Sequence, residues 1–80
     1  MEERIKLIWD FRGPNAGPIA QHHAKHLGEF ATNEALMHTL HGSEQLSEMH
    51  HIAYLVVEKP HINTLREKLK PTRGQNFDKK

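Results

Sequence analysis

Hydrophobic and polar residues alternate near the start of the chain, over residues 5–11. The large apolar side chains of this segment fall on every second position, at Ile5, Leu7, Trp9 and Phe11. A period of two is typical of a strand, because successive side chains of a strand point to opposite faces of the sheet. The pattern predicts a first strand with one face that is entirely apolar.

The period becomes that of a helix after residues 12–18, which are rich in glycine and proline. The face expected to pack inward carries Ile19, His23, Leu27 and Phe30, with alanines beside them. We predict a helix over residues 16–31. Asn15 is a suitable N-cap, and Asn33 is a suitable stop because asparagine accepts the left-handed conformation.

The second half of the chain has the pattern of two more strands and a second helix. These elements are predicted at residues 35–41, at residues 50–58 and from Pro60 to about Lys70. A helix also fits the first of the three segments. Residues 42–48, which follow it, predict a connecting loop.

The predicted elements follow one another in the order β-α-β-β-α. Residues 72–80 add either a short edge strand around residues 75–77 or a loose tail. This order is that of the split β-α-β arrangement of ferredoxin-like domains, in which two helices cover one face of an antiparallel sheet. We therefore expect a single small α+β domain over residues 1–80. The resemblance concerns the order of elements alone, and domains of this fold have many unrelated functions.

The third predicted strand is apolar on both of its faces. One face carries Ala53, Leu55 and Val57, and the other carries Ile52, Tyr54 and Val56. A sheet with one face in water should instead alternate apolar and polar residues. Because two helices cover one face only, we expect a homodimer packed through the other sheet face. The alternative is a central strand that stays partly exposed.

Composition adds one chemically notable feature, since eight of the 80 residues are histidine. The chain has no cysteine, which excludes disulfides, thiolate metal sites and thiol nucleophiles. Its net charge is +1 with neutral histidines. No secretory signal or long apolar segment is present in the sequence. We therefore expect a cytoplasmic protein that does not enter a membrane.

Three of the candidate metal ligands lie on one stripe of the first predicted helix. His22 and His26 are one turn apart, and Glu29 follows on the same side. Two imidazoles and a carboxylate suit zinc, nickel or copper without distinguishing them. Lys25 places a positive charge beside this position, which counts against the site. Solvated surface histidines are the alternative.

A small anionic ligand is the second candidate for binding. Arg12 precedes the helix N-terminus, where free N–H groups favour anions, and it could converge with His22 and His26. However, Pro14 and Pro18 lack N–H groups, and the glycine spacing matches no phosphate-binding motif. An ordinary turn explains the same residues. The mildly basic C-terminal end is not sufficient to predict nucleic-acid binding.

Histidine could also act as a general acid or base. His23 would be a buried base if an acid such as Asp10 or Glu48 reached it, but Asp10 is predicted on the opposite face of the sheet. We interpret His23 as a core residue and assign no catalytic residue. The sequence thus favours a non-catalytic binding or protein-interaction domain that is dimeric. A histidine-based metal-binding protein and a small enzyme are the alternatives.

Overall fold

The alternating segment at the start of the chain forms the first strand of a four-stranded antiparallel sheet. The computed structural model describes residues 3–77. Its main elements are β1 (Arg4–Arg12), α1 (Ala16–Asn33), β2 (Leu40–Ser47), β3 (His50–Glu58), α2 (Ile62–Leu69) and β4 (Arg73–Asn76). A short 3-10 turn at Lys59–His61 leads into α2. The fold is α+β with two helices, as the sequence predicts.

The strands lie in the order β2-β3-β1-β4, and each pair of neighbours is antiparallel. In β1 and β3 the odd-numbered side chains lie on the face that packs against both helices, which we call the helix face. The even-numbered side chains lie on the other face, which we call the open face. A residue of β2 or β4 lies on the same face as the residue of β3 or β1 with which it pairs.

The core lies on the helix face and depends on small side chains of α1. Leu7, Leu55 and Val57 of the sheet pack against alanines and Leu27 of α1 and against Leu65 of α2. The buried positions of α1 are Ala16, Gly17, Ala20, Ala24, Leu27 and Ala31. This stripe of short side chains allows the helix to lie close to the sheet.

The predicted inward stripe of α1 is wrong at Ile19, which is 50% exposed. Alanine at positions 16, 20 and 24 sets the buried face, so Ile19 falls at its border.

Trp9 is 7% exposed, and its Nε1–H donates to the carbonyl oxygen of Leu69 at 3.0 Å. This bond joins the sheet to the last residue of α2. No helix within residues 3–77 is long and apolar enough to span a bilayer.

The end of α1 is closed by a left-handed residue, but this residue is Ala35 (φ 56°) and not Asn33 as predicted. The N–H of Leu36 donates to the carbonyl of Ala31 at 3.0 Å, and the N–H of Ala35 donates to that of Thr32 at 3.1 Å. These two bonds form a Schellman motif. Leu36 and Ala31 both pack in the core cluster, which supplies the apolar contact that usually accompanies the motif.

The second strand begins five residues later than predicted. The left-handed residues Ala35 and His38 prevent an extended strand over residues 35–41, and β2 instead spans Leu40–Ser47. It uses most of the segment predicted to be a loop. The physical reason is that β2 is an edge strand with almost every residue exposed, so it needs no alternation of apolar and polar residues.

The open face has an apolar centre that is buried within a single chain. Ile8, Ile52 and Val56 are 1%, 3% and 0% exposed. Long side chains lie beside them, and the Nζ atom of Lys6 is 4.5 Å from the ring centre of Tyr54. Ile52 and Val56 of β3 are therefore buried without a second copy, Tyr54 is half-buried, and the homodimer stays a prediction. The structure also has β4, at Arg73–Asn76, and residues 78–80 lie outside the described residues.

We expect Ala35→Gly to raise the free energy of unfolding by about 0.5–1 kcal/mol, because glycine adopts a left-handed φ without the steric cost of a Cβ. The matched control is Gln21→Gly, at an exposed position inside α1. That change should lower the free energy of unfolding by about the same amount. Urea unfolding followed by circular dichroism measures both. Equal destabilisation by the two glycines would contradict the Schellman motif at Ala35.

Candidate functional site

A carboxylate on the open face joins three strands of the sheet. Asp10 of β1 accepts a hydrogen bond from Nε2 of His50 in β3, at 2.7 Å. It also accepts two from Arg73 of β4, from Nε at 3.0 Å and from Nη2 at 3.1 Å. The side chains of Asp10 and His50 are 12% and 15% exposed. Bonds of this length and charge are among the stronger ones in proteins.

Arg73 has the largest effect on the protonation of this group. Its hydrogen bonds to Asp10 lower the pKa of the carboxyl to about 2; burial acts in the opposite direction, and the hydrogen bond from His50 lowers the pKa further. In turn, the hydrogen bond to Asp10 raises the pKa of Arg73. Asp10 is therefore ionised in the folded protein at neutral pH.

The Asp10–His50 pair has the form of an oriented general base. An ionised Asp10 can only accept, so His50 donates from Nε2, and its Nδ1 is free to carry a lone pair when the ring is neutral. Catalytic imidazoles are oriented by carboxylates in the same way. However, no hydroxyl group within residues 3–77 forms a hydrogen bond with His50. The network lacks a nucleophile and primarily fastens β3 and β4 to β1.

A groove of about 440 Å³ lies between α2 and β4. Its apolar part is formed by Ile5 and Leu7 of β1 and by Ile62 of α2. The polar residues that line it are Lys59, Asn63, Arg66, Thr72, Arg73, Gln75 and Asn76. Small-molecule sites commonly have this volume and this combination of an apolar surface with a few polar groups.

The charged residues that line the groove are all basic. Arg73 is engaged by Asp10, and Nζ of Lys59 lies 3.4 Å from the carboxylate of Glu3. Arg66 has no carboxylate partner within the described part of the chain. The groove therefore offers at least one guanidinium that is available to an anion.

Arg12 does not join the histidines of α1. It is exposed and pairs with His50 at the end of β1, at an even-numbered position of the open face. α1 packs on the helix face, so the sheet separates Arg12 from His22 and His26. The structure does not bring together the three residues predicted to bind a small anion.

The metal-ligand candidates of α1 are close together, but they do not converge. The Nε2 atoms of His22 and His26 are 3.0 Å apart. Glu29 lies on the other side of the second ring, with Oε1 at 3.3 Å from Nδ1 of His26. Within residues 3–77 no group of three or more histidine or carboxylate side chains is arranged to hold a metal ion. The site with three ligands stays a prediction.

The half-buried ring of His23 lies beside two aromatic residues of β1. Its ring centre is 5.1 Å from that of Trp9 and 5.6 Å from that of Phe11. Its buried Nε2 has no hydrogen-bond partner among the described residues. Burial lowers the pKa of His23, as do the nearby His26 and His22 to a smaller extent. Asp10 lies on the opposite face and does not polarise it.

Two features of these sites do not follow from the sequence: the partners of Asp10 and the position of Arg66 at the groove. Alternation places Asp10 on the open face, but the register that brings His50 to it cannot be obtained from one sequence. Arg66 lies in the mildly basic C-terminal end of the sequence. Its helical spacing from Ile62 and Asn63 is a usable signal, since residues three or four apart share one side of a helix.

The chain matches no family model, no curated protein and no solved structure. The function is therefore inferred from the geometry of these sites.

We expect Asp10→Asn to lower the free energy of unfolding at pH 7 by about 2 kcal/mol, the amount that corresponds to a pKa reduced from 3.8 to about 2. Because the pKa is lower in the folded state, ionised Asp10 stabilises the protein fully above about pH 4. This contribution is lost as the pH falls from 4 to 2. Urea unfolding at several pH values measures it.

The matched control for this change is Glu44→Gln on the same face. Glu44 is 55% exposed and lies 3.9 Å from Nζ of Lys6, so its removal should change stability by less than about 0.5 kcal/mol. The prediction is wrong if the wild type and Asp10→Asn lose the same amount of stability between pH 4 and pH 2.

Proposed function

We propose that this chain is a small non-catalytic binding domain whose ligand is a small organic anion held in the groove between α2 and β4. The single observation behind the proposal is the lining of the groove. It combines an apolar surface with the guanidinium of Arg66, which has no acidic partner in residues 3–77, and the lining residues include no aspartate or glutamate.

The lining also supports a particular class of ligand. Ile5, Leu7 and Ile62 favour an apolar body such as an aromatic ring or a short aliphatic chain. Arg66 favours a carboxylate or a phosphate at one end, because a guanidinium binds either group with two parallel hydrogen bonds. The amides of Asn63 and Asn76 add donors and acceptors that would orient the ligand.

An enzyme with a histidine base is a weaker candidate. The Asp10–His50 pair favours it, but this pair lies on the open face while the groove lies on the helix face. No nucleophile accompanies His50 among the described residues. The binding proposal needs neither a nucleophile nor a cofactor.

A ferredoxin-like fold and a cytoplasmic location are also parts of this proposal. β1 and β2 run parallel with β3 between them, and β3 and β4 run parallel with β1 between them. Each helix thus connects two parallel strands across an intervening antiparallel strand, which supports the split β-α-β assignment. The cytoplasmic location depends on the sequence argument alone.

The direct test of the groove is an NMR titration of the backbone amides with phenyl phosphate, an aromatic ring bearing an anionic group. We expect shifts at Asn63, Arg66 and Gly74, and an affinity about tenfold lower in Arg66→Gln, because a charge-assisted hydrogen bond contributes about 1.5–3 kcal/mol. Lys68→Gln is the matched control. It removes the same charge from the same helix, at a residue that does not line the groove.

A second variant tests the apolar part of the groove without changing its charge. A Cβ at Gly74 would lie 3.6 Å from atoms of Ile5 and Leu7, which is ordinary contact, so Gly74→Leu should fold and fill the groove. It should abolish binding of phenyl phosphate. Two results would contradict the proposal: equal binding of neutral benzyl alcohol, or equal affinity in Arg66→Gln and Lys68→Gln.

The homodimer through the open face is a separate prediction. Analytical ultracentrifugation should give a dimer for the wild type and a monomer for Tyr54→Glu, which places a charge on that face. Leu46→Glu is the control, since Leu46 is 46% exposed on the edge strand β2. A wild-type monomer would exclude the dimer. A dimer lost in Leu46→Glu alone would move the contact to the edge of the sheet.

A further inference from the structure

The exposed face of α1 holds a histidine pair that the anion-binding proposal does not use. His22 and His26 stand one helical turn apart, and their Nε2 atoms are 3.0 Å from each other. Their rings are nearly perpendicular, at 85°, with centres 4.5 Å apart. Both residues are exposed, so ions in solution can reach the nitrogens.

We propose that His22 and His26 form a two-imidazole site for a divalent late transition metal, and that Glu29 supports this site without coordinating the metal. The 3.0 Å contact is a hydrogen bond in which one Nε2 donates to the other, so the donating ring changes tautomer when both nitrogens bind an ion. An ion 2.0–2.1 Å from both Nε2 atoms at this separation would make an N–metal–N angle of about 94°, so the two nitrogens are close enough to share one ion.

Glu29 occupies the position of an outer-sphere partner. Its Oε1 lies 3.3 Å from Nδ1 of His26, the ring nitrogen that faces away from His22. Histidines that bind metals commonly donate their second N–H to a carboxylate, which fixes the tautomer and leaves the Nε2 lone pair for the metal. The role of Glu29 therefore differs from the third ligand predicted from the sequence.

Copper(II) is the metal expected to bind most tightly, since affinities at nitrogen sites rise along the first-row series to copper. Water or a competing small ligand completes the coordination, because the described chain supplies no third side chain here. The site lies on the outer side of α1, away from the groove between α2 and β4. Failure of one proposal therefore leaves the other intact.

The test is a titration of the full chain with copper(II) in glycine buffer, followed by circular dichroism and electron paramagnetic resonance. We expect one tight site per chain, with affinity at least about tenfold lower in His22→Ala and in His26→Ala, since each removes one of two ligands. Both residues are exposed, so far-ultraviolet circular dichroism should confirm that the variants keep the fold.

The matched control is the double variant His38→Ala with His61→Ala. It also removes imidazoles, but Nδ1 of His38 and Nε2 of His61 lie 2.9 Å and 3.9 Å from the carboxylate of Glu58. This variant should bind copper(II) like the wild type. The proposal is wrong if the control loses as much affinity as His22→Ala, or if His22→Ala binds like the wild type.

Glu29→Gln separates the two roles of the carboxylate. An outer-sphere partner predicts an affinity up to about tenfold lower with an unchanged resonance spectrum, because the atoms bound to copper stay the same. A direct ligand would change the spectrum when it is removed. Such a change in Glu29→Gln would overturn the outer-sphere assignment.

Discussion

Nine consecutive residue pairs join β1 to β3 at the centre of the sheet, and the position of every other element depends on this pairing. The register sets Leu7 against Leu55 on the helix face, where both helices pack. It also pairs Asp10 with Ile52 on the open face. His50 lies two residues before Ile52, on the same face of β3. A shift by one residue would exchange the two faces, so the core and the polar network are specified together.

The elements that the sequence predicts well are those whose pattern reflects burial. β1, α1 and β3 each have a buried side, and their predicted limits agree with the structure within two residues. β2 has almost no buried residue, so its sequence lacks the alternation that would identify a strand. β2 begins after Ala35 and His38, which both have a left-handed backbone conformation. Alanine and histidine are not typical turn residues, so the sequence does not indicate this start.

The candidate sites also differ in how far the sequence predicts them. Spacing along one helix predicts that His22 and His26 meet, because both residues belong to one element. The Asp10–His50–Arg73 network and the groove beside Arg66 join residues from different elements. Their formation depends on strand register and on the docking of α2, which a single sequence does not supply. Contacts within an element were predictable here, and contacts between elements were not.

Trp9 is a natural fluorescent probe of this protein. It is the single tryptophan of the chain, and its indole N–H is bonded to Leu69, at the end of the helix that forms one wall of the groove. Its ring also lies against His23. Its fluorescence is therefore sensitive to the docking of α2 and to the ring of His23, and both neighbours can be followed without an added label.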